Sequence, residues 1–373
     1  MPHHLYATSV AASPTRATVT PMTKRRPTAS RQKLHQRFAA AASTGVTPAV
    51  AAELRTQGAR QVHEEAELVT FTHGDIRAAV PKLRLANAVY ALHDFAVPRP
   101  KALLGDQHFR QLTALVAQAR GPFTGLRIEA AGKDSAVMVR IGEELARAAK
   151  VPFAPNDGDL LVRIVRTNGW RVLVRLTPRP LSARAWRVCN IPGGLHAPLA
   201  VFMNQLAGAT ARSRYLNLFA GIGTLAIEHA LAGGTATAVE IDPTVVGCLQ
   251  QNVAAAQVGQ RVRVITADAL QSHPDVPAGG FDVVTADPPW GDAVGSHAQS
   301  EPLHRELLTR AAELLAPGGV FVLITHEVRI IRRLLAAGGH GFRVAFEQQV
   351  AHGGHHPLVL VLKHGEVRAN ITP

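Results

Sequence analysis

Between residues 37 and 180, apolar positions switch repeatedly between helical spacing and strand alternation. Thr47-Pro-Ala-Val-Ala-Ala-Glu-Leu-Arg55 combines a threonine that can cap, a proline at the first helical position and apolar residues at helix spacing. Residues 67–73 alternate as a strand, 75–81 form a short helix that Pro81 closes, and 88–92 read as a second strand. The spacing predicts an amphipathic helix over 106–120, a strand over 125–130 and a further helix over 137–150. Residues 159–166 and 169–176 predict a β-hairpin turning at Thr167-Asn-Gly169. Small mixed pieces of this kind suit a ferredoxin-like α+β module.

From residue 215 the rhythm is more regular. Apolar runs at 215–220, 235–241, 262–268, 281–287 and 319–325 alternate with helices at 225–232, 243–258, 301–315 and 328–337. Strands separated by helices imply a parallel sheet. The last two strands, 342–350 and 358–363, have no helix between them and are expected to pair antiparallel. This is an α/β, doubly wound pattern.

Charge divides the chain in the same place. Residues 1–180 hold 26 Lys+Arg against 13 Asp+Glu, whereas residues 181–373 hold 14 of each, so the formal +13 lies wholly in the first half. A basic half joined to a neutral one suggests polyanion binding in the first and a separate task in the second. Arg163, Arg166, Arg171 and Arg175 of the predicted hairpin either line a polyanion-facing sheet or are ordinary solvent-side residues. Residues 1–36 lack any acidic residue and are rich in Ser, Thr, Pro and Ala; they read as a disordered basic extension. The same stretch also fits an organelle transit peptide, and Met22 is an equally good start of translation. With no long uncharged apolar run, a membrane span is not expected. Cys189 and Cys248 are too few for a disulfide framework or a zinc site, and Cys248, inside a predicted helix, reads as core. His352, His355 and His356 read as a surface loop, and no metal is expected.

Chemistry concentrates at predicted strand ends. Asn217-Leu-Phe-Ala-Gly-Ile-Gly-Thr224 places a glycine turn after the first strand of the second half and before a helix N-terminus. Glu240 ends the next strand, where a carboxylate can accept ribose hydroxyls, and Ile241 follows it. Asp242 is read as the cap of the helix that begins at Pro243. Asp268 and Ala269 end the third strand; Asp268 either accepts from an adenine amino group or caps a turn. Asp287-Pro-Pro-Trp290 ends the fourth. Its prolines fix the backbone and leave carbonyls free, so Asp287 and the Pro288 carbonyl can hold one exocyclic amine while Trp290 stacks on a base.

These motifs resemble those of class I S-adenosylmethionine-dependent methyltransferases that act on amino nitrogens of nucleobases. Residues 37–180, with Thr47–Arg55 and 85–95, resemble the linker and THUMP module of the THUMP-domain tRNA guanine-N2-methyltransferases. Residues 184–208 are similar to the segment that leads into that family's catalytic domain. The resemblance implies a Rossmann-like seven-stranded sheet with its last strand pair antiparallel, preceded by an N-terminal ferredoxin-like domain (37–105) and a THUMP domain (106–180). The methyltransferase domain would be 181–373. It implies S-adenosyl-L-methionine as cofactor, held by Asn217, Phe219, Ala220, Gly221, Gly223, Thr224, Glu240, Ile241, Asp268 and Ala269, with Asp287, Pro288, Pro289 and Trp290 catalytic. The expected partner is tRNA, gripped by its 3′ end and acceptor region by a monomeric cytoplasmic enzyme. Asn217 departs from the family's usual acidic residue, and Trp290 from its Tyr or Phe. Ribosomal guanine-N2 or adenine-N6 methylation, and a noncatalytic RNA-binding role, are the alternatives.

Overall fold

The computed structural model describes residues 36–289 and 297–364. The reading of 1–36 as a disordered extension therefore falls, apart from Gln36, outside the described residues, as does Trp290.

The first half builds one seven-stranded sheet. Its strands are β1 (Arg37–Ala41), β2 (Arg60–Glu64), β3 (Leu68–Thr72), β4 (Ala88–Phe95), β5 (Leu126–Ala130), β6 (Leu160–Arg166) and β7 (Trp170–Arg175), in the order β2-β3-β1-β4-β7-β6-β5. Because β4 pairs with β7, the segments 37–105 and 106–180 share a continuous sheet. Helices α1 (Thr47–Thr56), α2 (Ile76–Ala79), α3 (Asp106–Val116) and α4 (Ala136–Ala149) complete this half. Thr47 does not cap α1: it is itself buried in the first turn, and Val46 stands at the cap without a side-chain bond.

Helix α5 (Ala197–Leu206) leads into the second sheet. There β8 (Arg214–Leu218), β9 (Thr235–Glu240), β10 (Val262–Thr266), β11 (Phe281–Ala286), β12 (Leu315–Thr325), β13 (Phe342–Gln349) and β14 (Leu358–His364) run in the order β10-β9-β8-β11-β12-β14-β13. Only β14 is antiparallel to its neighbours. Helices α6 (Thr224–Leu231), α7 (Pro243–Ala255), α8 (His297–Leu314) and α9 (Val328–Ala337) fill the crossovers. Strand order reverses between β8 and its neighbours β9 and β11, and a doubly wound sheet opens its ligand crevice outside the strand C-termini at such a point.

A continuous apolar core runs from Phe38, Val50 and Leu85 of the first half through Trp186 and Ala197 to Ala226 and Ile227 of α6. Charge crosses the same junction. Glu228 of α6, with only 1% of its side chain exposed, receives Arg184 Nε at 2.9 Å and the Arg84 guanidinium. Arg184 also donates to the Arg84 carbonyl at 2.6 Å, and Glu53 receives the Arg84 amide at 2.7 Å. Cys189 and Cys248, too few for a framework, nevertheless pair with each other and tie the lead-in segment to α7. Sequence spacing cannot show such a pairing across 59 residues. No described helix is long and apolar enough to cross a membrane.

Candidate active site

The first turn after β8 is built on an unusual backbone. Phe219, Gly221 and Gly223 all have positive φ, at +50°, +54° and +85°. A Cβ on Gly223 would stand 2.9 Å from Leu249 Cγ, whereas one on Gly221 would meet nothing within 4 Å. Gly223 is thus glycine for packing, and Gly221 leaves open space at the crevice. A non-glycine residue such as Phe219 in this region costs roughly 1–3 kcal/mol, a strain that tends to gather at ligand sites. Ala220 is buried beneath the turn, and its amide bonds to the Val239 carbonyl at 2.9 Å.

Glu240 holds this turn from the neighbouring strand. Its Oε2 accepts from the Gly221 amide at 2.8 Å, and its Oε1 from the amides of Ile241 and Asp242 at 2.9 and 3.1 Å. A carboxylate offers about four lone-pair sites, so a fixed acceptor position remains for a hydroxyl. Ile241 beside it is 59% exposed, an apolar surface at the crevice. Asp242 caps α7 through the Thr244 amide at 2.8 Å, as its position before Pro243 predicts. Asp268 Oδ1 accepts from Leu270 N at 2.9 Å, which is the turn-cap role; Ala269 is buried behind it.

Among the described residues, Asn217 Oδ1 and Thr224 Oγ1, both buried at the turn, have no partner. Asn217 Nδ2 is spent on the Leu218 and Thr285 carbonyls, at 3.1 and 3.5 Å. Buried polar groups are nearly always satisfied. Orphan atoms beside an open glycine turn and a fixed carboxylate fit a bound polar ligand, and S-adenosylmethionine has the amine, ribose and adenine to match.

Asp287 and Pro288 follow β11, next to β8, at the same edge of the sheet. Pro288 is buried and Pro289 partly so. Asp287 itself is partly buried, and desolvation of its carboxyl pushes its pKa up to about 7. An open cleft of about 570 Å³ lies at the opposite edge, lined by residues such as Arg214, Thr235 and Arg263, and holds none of these motif residues.

The hairpin arginines are placed otherwise than a phosphate-binding row requires. Arg175 is 6% exposed and gives its guanidinium to the carbonyls of Thr177, Asp159 and Pro178. Arg171 is held by Asp94 and Glu65, at 2.8 Å each, and Arg163 by Glu129 at 3.3 Å. Arg166 remains exposed, donating to the Pro98 carbonyl at 2.8 Å with its guanidinium 5.1 Å from the Trp170 ring centroid. The alternation that put these arginines on strands could not show which carboxylates lie opposite. His352 also departs from a surface-loop reading: it is 8% exposed and packs edge-on against His196. His355 and His356 are exposed.

A doubly wound sheet with one reversed strand, a glycine turn after its first strand and carboxylates ending the next three define a class I methyltransferase. Residues 184–357 match the family model described as RMKL-like, methyltransferase domain. The chain is 32% identical over 246 residues to the tRNA (guanine(6)-N2)-methyltransferase of Thermus thermophilus, covering 65% of this chain and 69% of that one. It is also 32% identical over 263 residues to the tRNA (guanine(10)-N2)-dimethyltransferase of Methanothermobacter thermautotrophicus, covering 70% of each. The crystal structure of TrmN from Thermus thermophilus superposes with a TM-score of 0.72 at 25% identity, over 88% of this chain and 100% of that one. The chain belongs to the family of class I tRNA guanine-N2-methyltransferases.

Proposed function

We propose that this protein transfers a methyl group from S-adenosylmethionine to the exocyclic N2 amine of a guanine in tRNA. The observation that carries the reading is the position of Asp287-Pro-Pro289 beside the glycine turn, on adjacent strands β11 and β8. The cofactor supplies a methyl group on a sulfonium, already activated for transfer. Phe219, Ala220, Gly221, Gly223 and Thr224 shape its cradle, with Asn217 Oδ1 as an acceptor for its amine. Glu240 accepts the ribose hydroxyls, Ile241 and Ala269 cover the adenine, and Asp268 accepts from its amino group. Asp287 and the Pro288 carbonyl accept the two N–H bonds of the guanine amine and aim its lone pair at the methyl group. Pro289 stiffens that turn. Trp290 is assigned the stacking face from the sequence alone.

Guanine N2 is a poor nucleophile because its lone pair is delocalised into the ring. Two acceptors in line with its N–H bonds draw density onto nitrogen, and positioning supplies most of the remaining acceleration. The ionised Asp287 opposes the positive charge that develops on nitrogen and can take the proton afterwards. The base reaches this pocket only when extruded from its helix. Residues 37–180, read as a ferredoxin-like domain followed by a THUMP domain, grip the tRNA at its 3′ end, and the enzyme acts as a cytoplasmic monomer.

The test is nucleoside mass spectrometry of tRNA incubated with the full chain and methyl-labelled S-adenosylmethionine. Label in N2-methylguanosine is expected. Label confined to N6-methyladenosine, or in ribosomal RNA alone, would overturn the assignment of the target.

A further inference from the structure

A second polar cluster lies at the joint between the sheets, outside the residues assigned above. Arg187, in the lead-in segment, is half-buried and donates Nε to Asn190 Oδ1 at 3.0 Å and Nη1 to the Leu195 carbonyl at 2.9 Å. No carboxylate among the described residues forms an ion pair with it, and burial lowers its pKa. Among the described residues, its Nη2 has no hydrogen-bond partner. The residue beside it is Gly194, whose Cβ, were there one, would press on Nη2 at 2.7 Å and stand 3.5 Å from Ile222 of the glycine turn. The guanidinium thus lies against the turn.

Four imidazoles continue from there. His196 stands at the N-cap of α5 and is exposed; its ring lies 4.6 Å from that of His352, edge to face. Among the described residues, the buried His352 Nδ1 atom has no partner. Burial, with Arg187, His196, His326 and His355 around it, pushes the His352 pKa down to about 4, so the ring is neutral and carries one N–H. The rings of His326 and His355 are 5.4 Å apart. His326 follows β12, and the register that pairs Ala286 with Leu323, carried on, sets it level with Pro289. The cluster also reaches the first half, where the Ala351 amide donates to the Thr44 carbonyl at 3.2 Å. Glu327 lies beside His326 and accepts from Ser300 at 3.3 Å. No group of three or more His, Cys, Asp or Glu among the described residues is placed to hold a metal ion.

A half-buried arginine with unspent donors, an orphaned buried imidazole and a position between the glycine turn and Asp287 call for an anion. We infer that Arg187, His196 and His352 form a site for an RNA backbone phosphate adjoining the nucleotide extruded into the catalytic pocket. The inference rests on RNA being the substrate. Arginine suits a tetrahedral oxyanion because its fork donates two parallel bonds, and a neutral imidazole adds an N–H without adding charge. Such a contact fixes the backbone on one side of the flipped base and leaves the choice of base to Asp287.

Binding of a tRNA transcript to the full chain, saturated with S-adenosylhomocysteine, is measured from 50 to 300 mM salt. Arg187→Gln should weaken binding several-fold and flatten the log–log salt slope by about 0.7–0.9, the loss of one phosphate contact. Arg187→Lys should keep the slope. His352→Phe, which preserves the ring packing, should weaken binding with no change of slope. S-adenosylhomocysteine affinity, read by calorimetry, should stay within twofold of wild type in each variant. An Arg187→Gln protein with wild-type tRNA affinity and slope overturns the site. So does one whose S-adenosylhomocysteine affinity falls tenfold with the slope intact, because the guanidinium then holds the cofactor's carboxylate. A wild-type chain with no salt-dependent hold on tRNA instead overturns RNA as the substrate, and the site with it.

Discussion

At Asp287, burial works against the charge that the proposed chemistry needs. Desolvation raises its carboxyl to about 7, from an ordinary value of 3.8. An amine acceptor must be ionised, so kcat/KM for tRNA should rise about tenfold per pH unit below about 7 and level off above it. A rate profile flat between pH 5.5 and 8 would separate Asp287 from the reaction. Stability runs the other way. A carboxyl whose folded pKa is raised stabilises the fold fully below the unfolded value, and that contribution disappears as pH climbs from about 4 through about 7. Asp287→Asn should therefore raise the thermal midpoint by a few degrees at pH 8 and leave it unchanged at pH 4, while abolishing most turnover at pH 8. Glu240 differs because three amides bind its carboxylate, so it serves as a fixed acceptor.

At the scale of an element, helix α6 joins the glycine turn to the first half of the chain. Its N-terminus follows Gly223, and one turn later Glu228 is enclosed by Arg184 and Arg84. Burying an ion pair such as Glu228–Arg184 is seldom a net gain, but removing one partner leaves the other desolvated and unpaired. Glu228→Ala should cost roughly 3–5 kcal/mol in urea unfolding, far more than loss of an exposed pair such as Arg305–Glu301. A loss under 1 kcal/mol would mean that water already reaches the cluster. The disulfide and Asn252 act on the same region. Asn252 Oδ1 accepts from the amides of Val188 and Cys189 at 3.0 and 2.9 Å, and its Nδ2 donates to the Ile222 carbonyl at 3.2 Å. The lead-in segment is therefore fastened directly to the glycine turn.

Over the whole molecule, the basic surplus of the first half remains, but its working residues shift. With Arg175 buried, Arg171 held by Asp94 and Glu65, and Arg163 paired with Glu129 at the surface, exposed cations stand where Arg166 meets Pro98, next to Arg99 and Lys101. Replacing Arg99, Lys101 and Arg166 with glutamine should flatten the tRNA salt slope by about 2, from a wild-type value of roughly −4 for five phosphates. The same triple change on S-adenosylhomocysteine affinity should be silent. Unaltered salt dependence would place the tRNA path on another face of the module.

The sequence by itself determined the doubly wound sheet, the reversed last pair, the glycine turn and the carboxylates at strand ends. Each depends on neighbours within a few residues: apolar periodicity, positive-φ glycines, and helix N-termini that follow strands. Strands β1 and β2 escaped it because Arg37-Phe-Ala-Ala-Ala41 and Arg60-Gln-Val-His-Glu64 lack the β-branched alternation that marks a strand; their place comes from pairing with β3. Only the tertiary structure decided which charges meet. Arg171 finds Glu65 106 residues away, Arg84 finds Glu228 144 away, and Cys189 finds Cys248 59 away. The burial of His352 against His196 belongs to the same class. A side chain's type and local rhythm reveal that it can pair; its partner, and so its charge state and role, depends on how distant strands are laid side by side.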